Sequence, residues 1–131
     1  MADKKRTVLV VEDDKNLSKM LDFLFVAKGL TTLSAGDGAD ALRIMDRIQP
    51  AAIILDLMMP VMDGYEFLDR VKADDRWKDI PVVVLSALPA EQKKAELLSL
   101  GASDYFEKPF KSTELVAAVV SLIDQRESAS G

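Results

Sequence analysis

The chain has 131 residues, a formal net charge of −5, and no cysteine or histidine. One domain of this length can bury enough surface to fold without a disulfide or a structural metal. The lack of cysteine excludes disulfides and zinc–thiolate sites, and the lack of histidine removes the commonest general base and metal ligand. The acidic balance argues against nucleic acid as a direct partner, because nucleic-acid-binding proteins usually present a basic face.

The termini carry no pattern typical of targeting or membrane insertion. The first six residues are charged but are not followed by the apolar core of a signal peptide. No apolar run reaches the roughly 18 residues that a membrane-spanning helix needs. We therefore expect a cytoplasmic domain at residues 7–124, preceded by a flexible N-terminus at 1–6 and followed by a frayed polar tail at 125–131.

Five short segments are predicted to form β-strands. Residues 7–11 (TVLVV) and the run that ends at Asp56 are apolar without alternation, which is typical of strands buried on both faces of a sheet. The predicted strands lie at 7–11, near 30–34, and at 51–56, 80–85 and 103–107.

A helical pattern follows each predicted strand. Asp14, Asp37 and Asp63 stand where a helix-capping carboxylate is expected, and Gly29 is well placed to end the first helix. The fourth helix begins near Pro89, a residue tolerated in a first helical turn, and runs to Gly101. The last helix begins near Ser112 and carries Leu115, Val119 and Leu122 at spacings of four and three.

Strands and helices thus alternate five times. This alternation predicts an α/β fold, a mostly parallel sheet with helices on both faces. In such sheets, ligands bind outside the carboxyl ends of the strands. The residues that directly follow the strands are therefore the first candidates for a functional site.

The residues at the strand ends form a chemically coherent set. Glu12 and Asp13 follow the first strand, Asp56 ends the third, Ser86 follows the fourth, and Lys108 follows the fifth. Carboxylates this close repel one another, and a divalent cation compensates them. Ligands that offer only oxygen favour a hard ion, Mg²⁺ first, with Mn²⁺ or Ca²⁺ as alternatives.

A carboxylate beside Mg²⁺, a lysine and a hydroxyl is an arrangement suited to phosphoryl transfer. The chemistry there rests on positioning and on neutralising the charge of the phosphoryl oxygens. Aspartate can act as the nucleophile and form an acyl phosphate. The sequence therefore indicates that Asp56 is a nucleophile.

Four motifs in this order resemble the receiver domain of two-component response regulators, of the chemotaxis-receiver-like single-domain type. They span nearly the whole predicted fold, which makes the resemblance specific. The resemblance implies a flavodoxin-like (βα)5 three-layer sandwich with strand order 2-1-3-4-5. The motifs are VLVVEDD at 8–14, ILDLMMPVMDG at 54–64, VVVLSA at 82–87 and YFEKPF at 105–110.

The resemblance implies a role for each residue of the motifs. Asp56 would be the phospho-acceptor and would also contact the metal. Asp13 would bind Mg²⁺ directly, Glu12 would bind it directly or through water, and the backbone carbonyl of Met58 would complete the protein ligands. Pro60, Asp63 and Gly64 would shape the turn after the acceptor and begin the next helix.

The remaining implied roles concern the response to phosphorylation. Ser86 would bind a phosphoryl oxygen, and Lys108 would pair with Asp56 and then with the phosphate. Tyr105 would be the switch aromatic that moves inward when Ser86 is drawn to the phosphate. Pro109 would follow a cis peptide bond. Ser86 stands where many relatives have threonine, so its coupling to Tyr105 is expected to be looser.

These roles imply a signalling switch in a phosphorelay that catalyses only its own phosphorylation and dephosphorylation. A histidine kinase or histidine phosphotransfer protein would donate the phosphoryl group. A downstream target, or a second copy in a phosphorylation-dependent homodimer, would bind the face formed by the fourth helix, fifth strand and fifth helix.

Two other functions stay open. The chain could be a phosphorylation-independent protein-interaction module that kept the fold and lost the chemistry. It could also be a phosphohydrolase of the haloacid-dehalogenase-like kind, which also uses an aspartate nucleophile. Those enzymes have a second Asp two residues later as the general acid, and here that residue is Met58.

Overall fold

The structure is a computed structural model that describes residues 6–59 and 61–130, with side chains as far as residue 128. Its five strands form one sheet in the order β2-β1-β3-β4-β5, and every neighbouring pair is parallel. The predicted α/β fold and strand order are therefore confirmed. The strands are β1 (Thr7–Val11), β2 (Thr31–Ala35), β3 (Ala52–Asp56), β4 (Val82–Ser86) and β5 (Asp104–Glu107).

Three of the five helices begin at an aspartate that caps them. The side chains of Asp14, Asp37 and Asp63 accept hydrogen bonds from backbone N–H groups in the first turns of α1, α2 and α3. Gly29, with φ of 82°, follows α1 in the left-handed conformation that favours glycine. The helices are α1 (Lys15–Val26), α2 (Gly38–Met45), α3 (Gly64–Ala73), α4 (Ala90–Ser99) and α5 (Ser112–Ser130).

The core lies on both faces of the sheet, as the continuous apolar strands predict. Every residue of β3 and β4 is buried. One apolar cluster includes Phe67 of α3 and Leu97 of α4, and the cluster on the opposite face includes Phe25 of α1 and Val119 of α5. The central strands are thus enclosed along their length, and their carboxyl ends open at one edge of the sheet.

Most boundaries differ from the sequence expectation by one or two residues; for example, α4 ends at Ser99 and not at Gly101. Strand β4 begins at Val82, because Pro81 has no N–H with which to join the ladder, and it extends to Ser86. Helix α5 continues to Ser130 through the segment expected to be a frayed tail. Arg6 stabilises this extension, since its guanidinium lies 2.8 Å from Asp124 and 3.4 Å from Glu127. Residues 1–5 and 131, which belong to the expected termini, lie outside the described part.

A membrane-spanning helix would have to be both long and strongly apolar. None of the helices in the described part of the chain meets both conditions.

Candidate functional site

Three acidic side chains meet at the carboxyl end of the sheet. Glu12 and Asp13 directly follow β1, and Asp56 is the last residue of its neighbour β3. In the parallel register Val11 lies opposite Leu55, so the residues after them reach the same edge. One carboxylate oxygen from each acid lies within 4.8 Å of the other two. The structure therefore brings together the three acids that the strand ends predicted.

Glu12 is a buried acid with a raised pKa. It is 4% exposed, and its Oε2 accepts a 3.0 Å hydrogen bond from the Asp14 N–H. Burial, which disfavours the charged form, raises the pKa of Glu12 to about 7. The negative charge of Asp56 acts in the same direction, whereas the Asp14 N–H and the Lys108 ammonium oppose the rise. The site thus holds more negative charge than its own cation neutralises.

Lys108 lies between two of the acids. Its Nζ is 3.3 Å from Glu12 Oε1 and 3.7 Å from Asp56 Oδ1. The lysine comes from the loop after β5, at the edge of the sheet, and its side chain is 28% exposed. It can therefore move between partners at the site without leaving contact with water.

The donor set fits a hard divalent cation. The clustered ligand atoms are carboxylate oxygens, which suit Mg²⁺ or Mn²⁺. Asp13 is exposed, so an ion held there would remain accessible to the waters that Mg²⁺ usually keeps. Met58 contacts the site through its amide, which donates to Asp56 Oδ1 at 3.2 Å. Metal binding by the Met58 carbonyl stays a prediction.

Ser86 lies at the end of β4, next to Asp56 in the sheet. It is fully buried, and its Oγ accepts a 3.0 Å hydrogen bond from the Leu88 N–H. Its carbonyl accepts a 2.7 Å hydrogen bond from the Lys108 N–H. Ser86 and Lys108 are thus joined by a backbone hydrogen bond and both lie at the carboxyl end of the sheet.

Tyr105 already lies inside the protein. It is 4% exposed, and its hydroxyl donates to the Leu88 carbonyl at 2.7 Å. The loop after Ser86 is thereby tied to β5. The Lys108–Pro109 peptide bond is cis, the form that the resemblance implies.

The turn after Asp56 depends on a close backbone approach. A Cβ at Gly64 would lie 2.7 Å from Leu57 Cα and 3.1 Å from the Asp56 carbonyl oxygen, so glycine is required there. The Gly64 N–H donates to the Leu57 carbonyl at 2.9 Å, which closes the turn. Pro60, expected to shape the same turn, lies outside the described residues.

Sequence reasoning missed one polar contact beside the site. The carboxylate of Glu107, the residue before Lys108, accepts a 2.9 Å hydrogen bond from the Ala90 N–H at the start of α4. Pro89 precedes this helix and makes no side-chain capping bond. The available signal in the sequence was Pro89, which stands where a capping residue is usual. It did not indicate which residue caps the helix instead.

The chain is similar to known proteins in both sequence and fold. The chain is 41% identical over 123 residues to the transcriptional regulatory protein PrrA of Mycobacterium tuberculosis; the match covers 94% of this chain and 52% of PrrA. The chain thus spans about half the length of this curated relative. Its fold is similar to the Francisella response regulator 1452 receiver domain, with a TM-score of 0.87, 34% identity, and coverage of 93% of this chain and 99% of that one.

A second solved structure carries a metal. It is the receiver domain of the sensor histidine kinase PA1611 from Pseudomonas aeruginosa, with a magnesium ion coordinated in the active site cleft. The TM-score is 0.81 at 30% identity, with 92% of this chain and 99% of that one covered. The family model described as the response regulator receiver domain matches residues 8–120. This chain therefore belongs to the response regulator receiver domain family of two-component signalling.

Proposed function

We propose that the chain is a cytoplasmic, Mg²⁺-dependent phosphorylation switch whose phospho-acceptor is Asp56. The observation that carries the proposal is the placement of the Asp56 carboxylate, buried at the end of a central strand, beside the acidic pair and within 3.7 Å of the Lys108 ammonium. A carboxylate in this position is too enclosed for a solvated surface acid, and its amide neighbour and lysine orient it. The alternative, a phosphorylation-independent interaction module, gives no reason for this assembly.

The phosphoryl donor must be external, because the chain has no histidine. We propose a phosphohistidine of a histidine kinase or histidine phosphotransfer protein. A carboxylate oxygen of Asp56 attacks phosphorus, forming the O–P bond of an acyl phosphate. The P–N bond breaks, and its electron pair stays on the imidazole nitrogen, which is protonated by solvent.

The neighbours of Asp56 have distinct parts in this step. Glu12, Asp13, Asp56 and the Met58 carbonyl would hold the ion, which when bound neutralises charge on the phosphoryl oxygens. The Lys108 ammonium and the Ser86 hydroxyl would each donate to a phosphoryl oxygen. Lys108 is already within 3.7 Å of the acceptor oxygen, so it needs only a small movement. The same groups would support slow hydrolysis of the acyl phosphate by water.

The output would be a change at the surface formed by α4, β5 and α5. Phosphorylation adds about two negative charges and strong acceptors beside Ser86. Because the Ser86 hydroxyl and the Tyr105 hydroxyl both bond Leu88, a shift of Ser86 would alter the loop that leads into α4. That surface would then bind a downstream protein or a second copy of the chain.

The relatives support this assignment. PrrA is a transcriptional regulatory protein, and the PA1611 receiver has magnesium in its cleft. In this chain, the three acids at the strand ends, Glu12, Asp13 and Asp56, are the features that would support magnesium binding.

The experiment is to incubate the protein with Mg²⁺ and acetyl phosphate and to weigh it by intact-mass spectrometry. The native chain should gain one phosphoryl group, and Asp56→Asn should gain none. Asp69→Asn, at an exposed acid on α3, is the matched control and should behave like the native chain. No gain in the native chain, or an undiminished gain in Asp56→Asn, would refute the proposal and favour the interaction module.

A further inference from the structure

Helix α4 lacks the kind of cap that begins the three helices before it. The first N–H groups of a helix have no partner within it, and a side chain just before the helix usually satisfies one of them. Pro89 occupies that position in α4 and makes no such bond. The carboxylate of Glu107, from a different element and 17 residues later, bonds the Ala90 N–H instead.

Glu107 also occupies a special place in the sheet. It is the last residue of β5, it directly precedes Lys108, and it lies opposite Ser86 in the register with β4. One carboxylate therefore joins the strand that delivers Lys108 to the helix that follows the Ser86 loop. A negative charge at the start of a helix is also favoured by the helix dipole.

Two further bonds from β5 and its following loop hold the same segment. The Tyr105 hydroxyl donates to the Leu88 carbonyl, and the Lys108 N–H donates to the Ser86 carbonyl. The connection between β4 and α4 is thus held at its beginning, at its middle and at the first residue of the helix. The contact at Ala90 is the one of these three in which a charged, exposed side chain takes part.

We propose that Glu107 is a positioning residue that fixes the start of α4 against β5 and so controls how Ser86 and α4 move when Asp56 is phosphorylated. The inference rests on the proposed function. If a phosphoryl group draws Ser86 towards it, the loop and the start of α4 must follow or resist. Glu107 resists, because movement of Ala90 lengthens its bond to the carboxylate. Without that bond, α4 leaves its present position more easily.

The test compares Glu107→Ala with Glu107→Gln, which keeps an acceptor oxygen at the same position. The first measurement is amide hydrogen exchange in the unphosphorylated protein. Exchange in the first turn of α4 should rise about fivefold in Glu107→Ala, the loss expected for a helix cap, and should stay near native in Glu107→Gln. Asp69→Ala, which removes an exposed acid on α3, is the control and should show little change in α4.

The second measurement is the rate of phosphorylation by acetyl phosphate with Mg²⁺, read by intact mass. Glu107→Ala should differ from the native rate by more than twofold, and Glu107→Gln should restore it. Unchanged exchange in Glu107→Ala would overturn the inference at its structural step. Increased exchange with a native phosphorylation rate would also overturn it, because Glu107 would then only cap the helix.

The two proposals fail separately. A native chain that gains no phosphoryl group refutes the proposed function, and the link between Glu107 and phosphorylation is refuted with it. If the native chain is phosphorylated but Glu107→Ala and Glu107→Gln react at equal rates, the inference about Glu107 is refuted and the proposed function is not.

Discussion

Lys108 lies closer to Glu12 than to Asp56, with Nζ at 3.3 Å and 3.7 Å from the two carboxylates. Burial raises the pKa of Glu12, and the neighbouring lysine ammonium opposes that rise. A phosphoryl group on Asp56 would compete with Glu12 for this ammonium. The balance between these two acids is therefore central to the chemistry of the site.

Glu12→Gln should stabilise the metal-free protein at high pH. The pKa of Glu12 is about 7 in the folded chain and near 4.5 in the unfolded chain, so folding disfavours the charged form. The native protein therefore loses stability as the pH rises from about 4.5 through 7. Glu12→Gln has no carboxyl group at this position and does not lose this contribution to its stability. We expect Glu12→Gln to gain roughly 2 kcal/mol over native between pH 5 and pH 8.

Urea unfolding at both pH values, with a chelator present, measures this difference. Glu66→Gln removes an exposed carboxylate on α3 and is the control. Equal pH dependence in the native protein and Glu12→Gln would contradict the prediction.

Mg²⁺ should raise the unfolding temperature, because an ion that binds only the folded chain stabilises it. At about 100 times the dissociation constant the gain is roughly 2.7 kcal/mol. Asp13→Asn should lose most of this effect, since it removes an exposed carboxylate from the cluster. Asp69→Asn should retain it. A melting series at constant ionic strength measures the effect, and an equal Mg²⁺ response in Asp13→Asn would argue against the proposed ligand.

Gly64→Ala should destabilise the fold by about 1–3 kcal/mol, the usual cost of forcing extra volume into a closely packed place. The added Cβ would lie 2.7 Å from Leu57 Cα, and backbone atoms cannot move aside cheaply. Gly36→Ala is the matched control, because nothing lies within 4 Å of a Cβ there. Chemical denaturation of the two variants provides the comparison, and equal stabilities would show that the turn adapts.

Val61→Asn should stabilise the protein by about 1 kcal/mol, since asparagine tolerates the left-handed conformation better than a β-branched residue. Val61 has φ of 70° and is 83% exposed, so its side chain contributes little packing. Val61→Ile retains the β-branch and should bring no gain. The unfolding midpoints of the native protein and both variants measure the difference in stability. A loss of stability in Val61→Asn would mean that Val61 makes a contact whose stabilisation exceeds the cost of its backbone strain.

Met58→Asn should shorten the lifetime of the acyl phosphate. The Met58 side chain is 65% exposed beside Asp56, where an apolar group hinders the approach of water and an amide can hold it. Met20→Asn alters an exposed methionine on α1 and should leave the lifetime unchanged. The decay of the phosphorylated mass after removal of acetyl phosphate measures the half-life. An unchanged half-life in Met58→Asn would refute the prediction.

The sequence predicted the elements that short-range rules determine. Asp14, Asp37 and Asp63 cap helices because a cap depends on residues a few positions away. The parallel sheet followed from continuous apolar runs, and the clustering of the strand-end acids followed from the sheet. The spacing of Leu115, Val119 and Leu122 indicated the apolar side of the last helix: the first two are buried, and Leu122 is partly buried against the same cluster. Ile123, which is 2% exposed, also belongs to this cluster.

Contacts between distant elements could not be predicted. The preference of Lys108 for Glu12 depends on a difference of 0.4 Å between two ion-pair distances, 3.3 Å and 3.7 Å. The cap that Glu107 gives to α4 depends on the register of β5 with β4. Patterns of hydrophobic and polar residues do not specify either quantity. The inward position of Tyr105 is likewise a property of the assembled loop.

The bond between Lys108 and Glu12 joins residues 96 positions apart, one directly after β1 and the other in the loop after β5. Strand β5 lies at one edge of the sheet and pairs only with β4. Edge strands can open while the rest of a fold persists. Detachment of β5 would withdraw the lysine, the tyrosine and the cap of α4 together, and a fragment ending before residue 104 would retain the acids without the cation. The ability to accept a phosphoryl group should therefore be lost at a lower denaturant concentration than the one that unfolds the central strands. Opening of this edge alone would then be enough to inactivate the domain.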